Sequence, residues 1–175
     1  MRKKLQEAYR RMIASYIKQT IVNQLNLSYV DFMYYSTNKK DYQRIPKSTM
    51  SKICNGKIDI SESVLKAIIE TMNLNSNLEV LLPTEELRIE LVIELIYLKL
   101  EFNQMRTPIF EDCLFKACNQ TNDIERLVRN NKELIMESLL DFMVEEPNSS
   151  HELIECLIQW LPDLTIIILQ SKINY

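Results

Sequence analysis

Apolar residues recur every three to four positions along almost the whole chain, the spacing that lines one face of a helix. Over residues 1–26 the stripe is Leu5, Ala8, Tyr9, Met12, Ile13, Tyr16, Ile17, Ile21 and Leu25, with Arg2, Lys3, Arg10, Arg11 and Lys18 falling mainly off it. This predicts one basic amphipathic helix. A short helix follows from Ser28, its expected cap, to about residue 35, and then a polar loop over residues 36–44. Ile45, Met50 and Ile53 next fall on one side of a further short helix, leaving Lys47, Ser48, Thr49, Ser51 and Lys52 on the other. Gly56, the only glycine among 175 residues, stands just past the last apolar position, where a helix commonly ends in a left-handed turn.

Downstream, Val64, Leu65, Ala67, Ile68, Ile69, Met72 and Leu74 keep helical spacing behind the hydroxyl caps Ser61 and Ser63, and Asn73-Leu74-Asn75 closes that helix. Pro83-Thr84-Glu85-Glu86 marks a boundary: proline stops what precedes it, Thr84 caps, and two acids suit the positive end of a new helix. Residues 85–103 carry apolar side chains on more than one stripe, which predicts a central helix covered on two or more sides. Further helices are expected over residues 109–117, 124–128, 134–143 and 151–160. Leu161-Pro162-Asp163 is expected to break the chain there and start a last helix carrying Ile166, Ile167, Ile168 and Leu169.

No stretch alternates as a strand would, and one glycine leaves little material for hairpin turns, so the fold class is all-α. An apolar fraction of 46% is enough to fill a packed interior. The expected organisation is one domain over residues 1–82 and a helical bundle or short helical array over residues 84–175.

A net charge of −3 would by itself argue against a polyanionic partner, but the charges are unevenly placed. Residues 1–60 hold twelve Lys or Arg against four acids, and the remainder holds nine against twenty. That asymmetry points to a basic, polyanion-binding part joined to an acidic part with another task. Cys54, Cys113, Cys118 and Cys156 show no metal-ligand spacing and the only histidine is His151, so no metal or cofactor is expected. There is no glycine-rich phosphate loop and no acid paired with a nucleophile, which argues against an enzyme. Glu90, Glu94, Lys99 and Glu101 inside the most apolar helix exclude a membrane span there, and the absence of a secretory pattern predicts a cytoplasmic location.

The run from Ile45 to Lys57, then residues 63–74, then Asn77-Leu78-Glu79-Val80-Leu81-Leu82, resembles the phage-repressor-like (Xre or Cro type) helix-turn-helix family. Its recognition helix reads roughly v-s-r-s-t-i-s-r-i-x-x-G-k before a connector and a further helix. Upstream the chain departs from the family pattern. Tyr29 replaces a glutamine that often contacts phosphate, Met33 replaces a small alanine, and residues 37–43 insert an extra loop.

The resemblance implies a sequence-specific DNA-binding transcriptional regulator that engages double-stranded DNA as a dimer, with residues 47–54 as the recognition helix. Lys47, Ser48, Thr49, Ser51 and Lys52 would meet base edges in the major groove, with Ser48 either reaching a base or capping the helix. Asn55 and Lys57 would hold phosphates, and Tyr29, Lys39, Lys40 and Arg44 would contact the backbone from the segment before. Arginine, the usual bidentate partner of guanine, is absent from the reading face. The homodimer would form through residues 84–175. The rival expectation is a protein-interaction module, such as a phage-encoded inhibitor or a peptide-sensing receptor, whose acidic helical half binds a protein or peptide effector.

Overall fold

The computed structural model describes residues 1–20, 45–102 and 124–173, with side chains at 102 and 171–173 excepted. The expected helices at 28–35 and 109–117, and with them Tyr29, Lys39, Lys40 and Arg44, lie outside the described residues. Among those described, all regular structure is helical and no strand occurs. The helices are α1 (Arg2–Gln19), α2 (Lys47–Cys54), α3 (Glu62–Met72), α4 (Leu78–Leu81), α5 (Glu85–Phe102), α6 (Ile124–Asn130), α7 (Lys132–Phe142) and α8 (Ser150–Ile173).

They fall into two compact units. The first, here the head, comprises residues 6–84 and 146–153; the second comprises residues 1–5, 85–145 and 154–175. The sequence divides the chain once, at residues 83–84, whereas membership of the compact units changes at residues 5–6, 84–85, 145–146 and 153–154.

In the head the predicted stripe of α1 is buried at Ala8, Tyr9, Ile13, Ala14 and Ile17. Ile45, Met50 and Ile53, then Val64, Leu65, Ala67 and Ile68, then Val80, Leu81 and Leu82 join the interior. Each Val, Leu, Ile or Met among them contributes about 1.5–3 kcal/mol on burial. The Tyr9 ring is fully enclosed, yet its hydroxyl donates to the Leu81 carbonyl at 2.8 Å, so the polar atom carries no unmet demand. Burial, with Asp59 adding to it, pushes the Tyr9 phenol well above its ordinary value.

The second unit is built on α5, which is buried at Leu87, Ile89, Leu91, Val92, Leu95, Ile96 and Leu98. These positions run round more than one side of the helix, which packs against α6 and α7. Trp160 is wholly enclosed and its indole N–H donates to the Ser138 hydroxyl at 3.0 Å. On the surface Arg129 pairs with both Glu86 and Glu125, and Lys132 pairs with Glu85 at 2.7 Å.

One element departs from expectation. The predicted break at Leu161-Pro162-Asp163 does not occur, and α8 runs through Pro162 without interruption. An interior proline costs about 3 kcal/mol or more because its ring displaces the preceding carbonyl and removes a donor. Here Pro162 faces solvent, while Trp160, Leu161, Leu164 and Ile168 on either side of it are buried. Four large side chains at about 1.5–3 kcal/mol each outweigh one lost turn bond. No helix among the described residues is long and apolar enough to cross a membrane.

Candidate nucleic-acid interface

The short helix α2 starts without a side-chain cap. Pro46 holds the N-cap position at φ −59°, ψ 141°, and its carbonyl accepts from the backbone N–H of Thr49 and Met50 at 2.8 and 3.1 Å. Ser48 therefore sits inside the first turn and has no capping duty. Met50, Ile53 and Cys54 anchor the inner side. Lys47, Ser48 and Lys52 are exposed, and Thr49 and Ser51 are half-buried at the edge of the same face.

The helix ends in a complete Schellman turn. Gly56, at φ 64°, donates to the Ile53 carbonyl, and Lys57 donates to the Lys52 carbonyl, both at 2.8 Å. The Asn55 side-chain amide turns back to the Ser51 carbonyl at 2.6 Å, which leaves its own oxygen outward on an exposed residue. Gly56 answers a second demand besides its backbone angle. A Cβ there would lie 3.2 Å from the Arg10 carbonyl oxygen and 3.5 Å from the Arg11 Cα, so the stop of α2 rests directly on the backbone of α1.

Beyond the stop, Asp59 is clamped by α1: it accepts from Arg10 Nε at 2.7 Å and from Gln6 Nε2 at 2.9 Å. The next residue is held from far along the chain. Ile60 N–H donates to Ser150 Oγ at 2.8 Å, and the Ile60 carbonyl accepts from the Ser150 hydroxyl and backbone N–H at 3.1 and 3.0 Å. After α3, which closes on Asn73 in the left-handed conformation, Glu146 accepts from Ser76 Oγ and Asn77 N–H at 2.6 and 2.7 Å. Ser149 and Glu152 supply the start of α8: Ser149 Oγ accepts from Glu152 N–H, and the Glu152 carboxylate accepts from Asn148 N–H. Glu146 thus caps the approach to α4 from about seventy residues further along the chain.

Lys47, Ser48, Thr49, Ser51, Lys52, Asn55 and Lys57 thus lie on one short helix and its stop. Among the described residues no acid pairs with Lys47, Lys52 or Lys57. Arg11 on α1 is likewise exposed and without an ion pair among the described residues, whereas its neighbour Arg10 is taken by Asp59. Asp59, Gln6 and Ser150 are positioning residues that the sequence reading passes over. Only Asp59 leaves a trace there, as the one acid between Lys47 and Ser61. No group of metal-ligating side chains occurs among the described residues. No protein-family model, no curated protein and no solved structure matches the chain.

Proposed function

We propose that the protein is a sequence-specific DNA-binding transcriptional regulator that uses α2 as its recognition helix. The observation that carries this reading is the outer face of α2: Lys47, Ser48 and Lys52 stand in solvent while Met50, Ile53 and Cys54 fix the helix from behind. A face of amines and hydroxyls without acids suits the major groove, whose edges offer acceptors to lysine and mixed groups to serine and threonine. Lys57 extends the same surface toward the phosphates. A dimer through the second unit would present two such helices to half-sites one DNA turn apart, and exposed Tyr97 and Ile166 there offer apolar area for it.

An electrophoretic shift with the full chain and mixed-sequence duplex tests this. Binding at low salt that weakens steeply as salt rises is the expected result. Changing Lys47 and Lys52 together to alanine should abolish the shift with the helical content unchanged. Absence of any shift by the unaltered chain overturns the reading and leaves a protein or peptide partner for the acidic half.

A further inference from the structure

In a Schellman turn the side chains three before and two after the helix end are brought side by side, and that pair is commonly a hydrophobic contact. In α2 those two positions are Lys52 and Lys57, joined by the Lys57 N–H to Lys52 carbonyl bond at 2.8 Å. The turn therefore starts two basic side chains from neighbouring points of the backbone. Gly56, between them in the turn, rests on α1 with its would-be Cβ 3.5 Å from the Arg11 Cα. A third cation thus starts from the same spot.

Among the described residues no acid neutralises them. Asp59, the nearest acid in sequence, is occupied by Arg10 and Gln6. Glu7 lies one turn before Arg11 on α1 but makes no ion pair with it. Lys66, by contrast, pairs with Glu62 at 2.6 Å on the next helix. Like charges that start so near one another on the backbone favour an anion among them, and a backbone phosphate supplies one.

We infer that Arg11, Lys52 and Lys57 form a phosphate-binding cluster at the stop of α2, gripping the sugar-phosphate backbone of duplex DNA while Lys47, Ser48 and Thr49 in the first turn read bases. This rests on the reading of α2 as a DNA-recognition helix and deepens it. It moves Lys52 from the base-reading set to the backbone-anchoring set and adds Arg11 of α1 to that set. The adjacent arginines divide the work: Arg10 positions the connector through Asp59, and Arg11 faces the ligand.

The test is a salt titration of the full chain on a mixed-sequence duplex, where phosphate neutralisation supplies essentially all the affinity. Each of Arg11→Ala, Lys52→Ala and Lys57→Ala should lower the slope of log affinity against log salt by about 0.9, and the triple variant by about three times that. Lys52→Arg should restore the slope, and Lys66→Ala should leave it unchanged. Slopes that stay at the unaltered value in any of the three alanine variants, while the unaltered chain still binds, overturn the cluster and spare the regulator reading. No duplex binding by the unaltered chain overturns both.

Discussion

The two units share one helical vocabulary and differ in how they treat some of their cations. In the second unit Arg129 is bracketed by Glu86 and Glu125, Lys132 meets Glu85, and Arg2 meets Glu155. In the head, Lys47, Lys52, Lys57 and Arg11 have no such partner among the described residues, while the polar bonds run inward to backbone: Tyr9 to Leu81, Ser150 to Ile60, Glu146 to Asn77. Ion pairs on an open surface add little to stability, and buried bonds to backbone add more because losing one strands a polar group away from water. The head is thus fixed from within and left cationic without. The second unit closes Arg2, Arg129 and Lys132 in surface pairs and exposes apolar residues such as Val144 and Leu134.

The contrast is open to direct attack. The largest effect is expected from Gly56→Ala. A left-handed backbone costs a non-glycine residue roughly 1–3 kcal/mol, and a methyl 3.2 Å from the Arg10 carbonyl adds overpacking of similar size. Thermal unfolding followed by far-ultraviolet dichroism should show the loss, together with weakened duplex binding. Trp160, the only tryptophan, lies in the second unit, so its fluorescence midpoint should move less. Equal movement of both midpoints would merge the two regions into one cooperative structure.

Ser150→Ala comes next. It strands the Ile60 N–H in a fully buried place, at a cost of about 1–3 kcal/mol, and should lower duplex affinity without removing any cation. Unchanged affinity at unchanged fold would show that the connector after α2 does not need this clip.

Smallest is Arg129→Ala, whose two ion pairs are solvent-exposed and should leave the fluorescence midpoint at neutral pH almost where it was. Arg129 holds the Glu86 carboxyl below its ordinary value of 4.5, so whatever stability the pair contributes is present above that pH and fades as pH falls through the lowered value. The small gap between variant and parent in an acid titration should therefore close below pH 4.5, and a gap that widens there would contradict the assignment.

Local rules carried the helices. The stripes of α1 and α3, the overfull α5 and the Gly56 stop follow from spacing and from the conformational freedom of one residue, and these are visible in the string of letters. The outer face of α2 was legible for the same reason: its polar positions are the complement of Met50 and Ile53. Pro162 was misleading because a proline's local cost can be read directly, whereas the burial of Trp160, Leu164 and Ile168 that overrides it is a tertiary quantity. The Ser150 clip, the Glu146 cap and the seat of Gly56 on α1 join residues roughly fifty to ninety positions apart, and no periodicity announces such pairs.

The joining of Ser150 to Ile60 sets an order of events during synthesis. Residues 6–84 leave the ribosome well before residues 146–153, yet the head is incomplete until that later stretch arrives. A nascent chain stalled in between carries the cationic helix with an unfinished support. On the proposed reading, tight grip on DNA is withheld until residues 146–153 have been made, so a product that stops short of them would compete poorly with one that includes them.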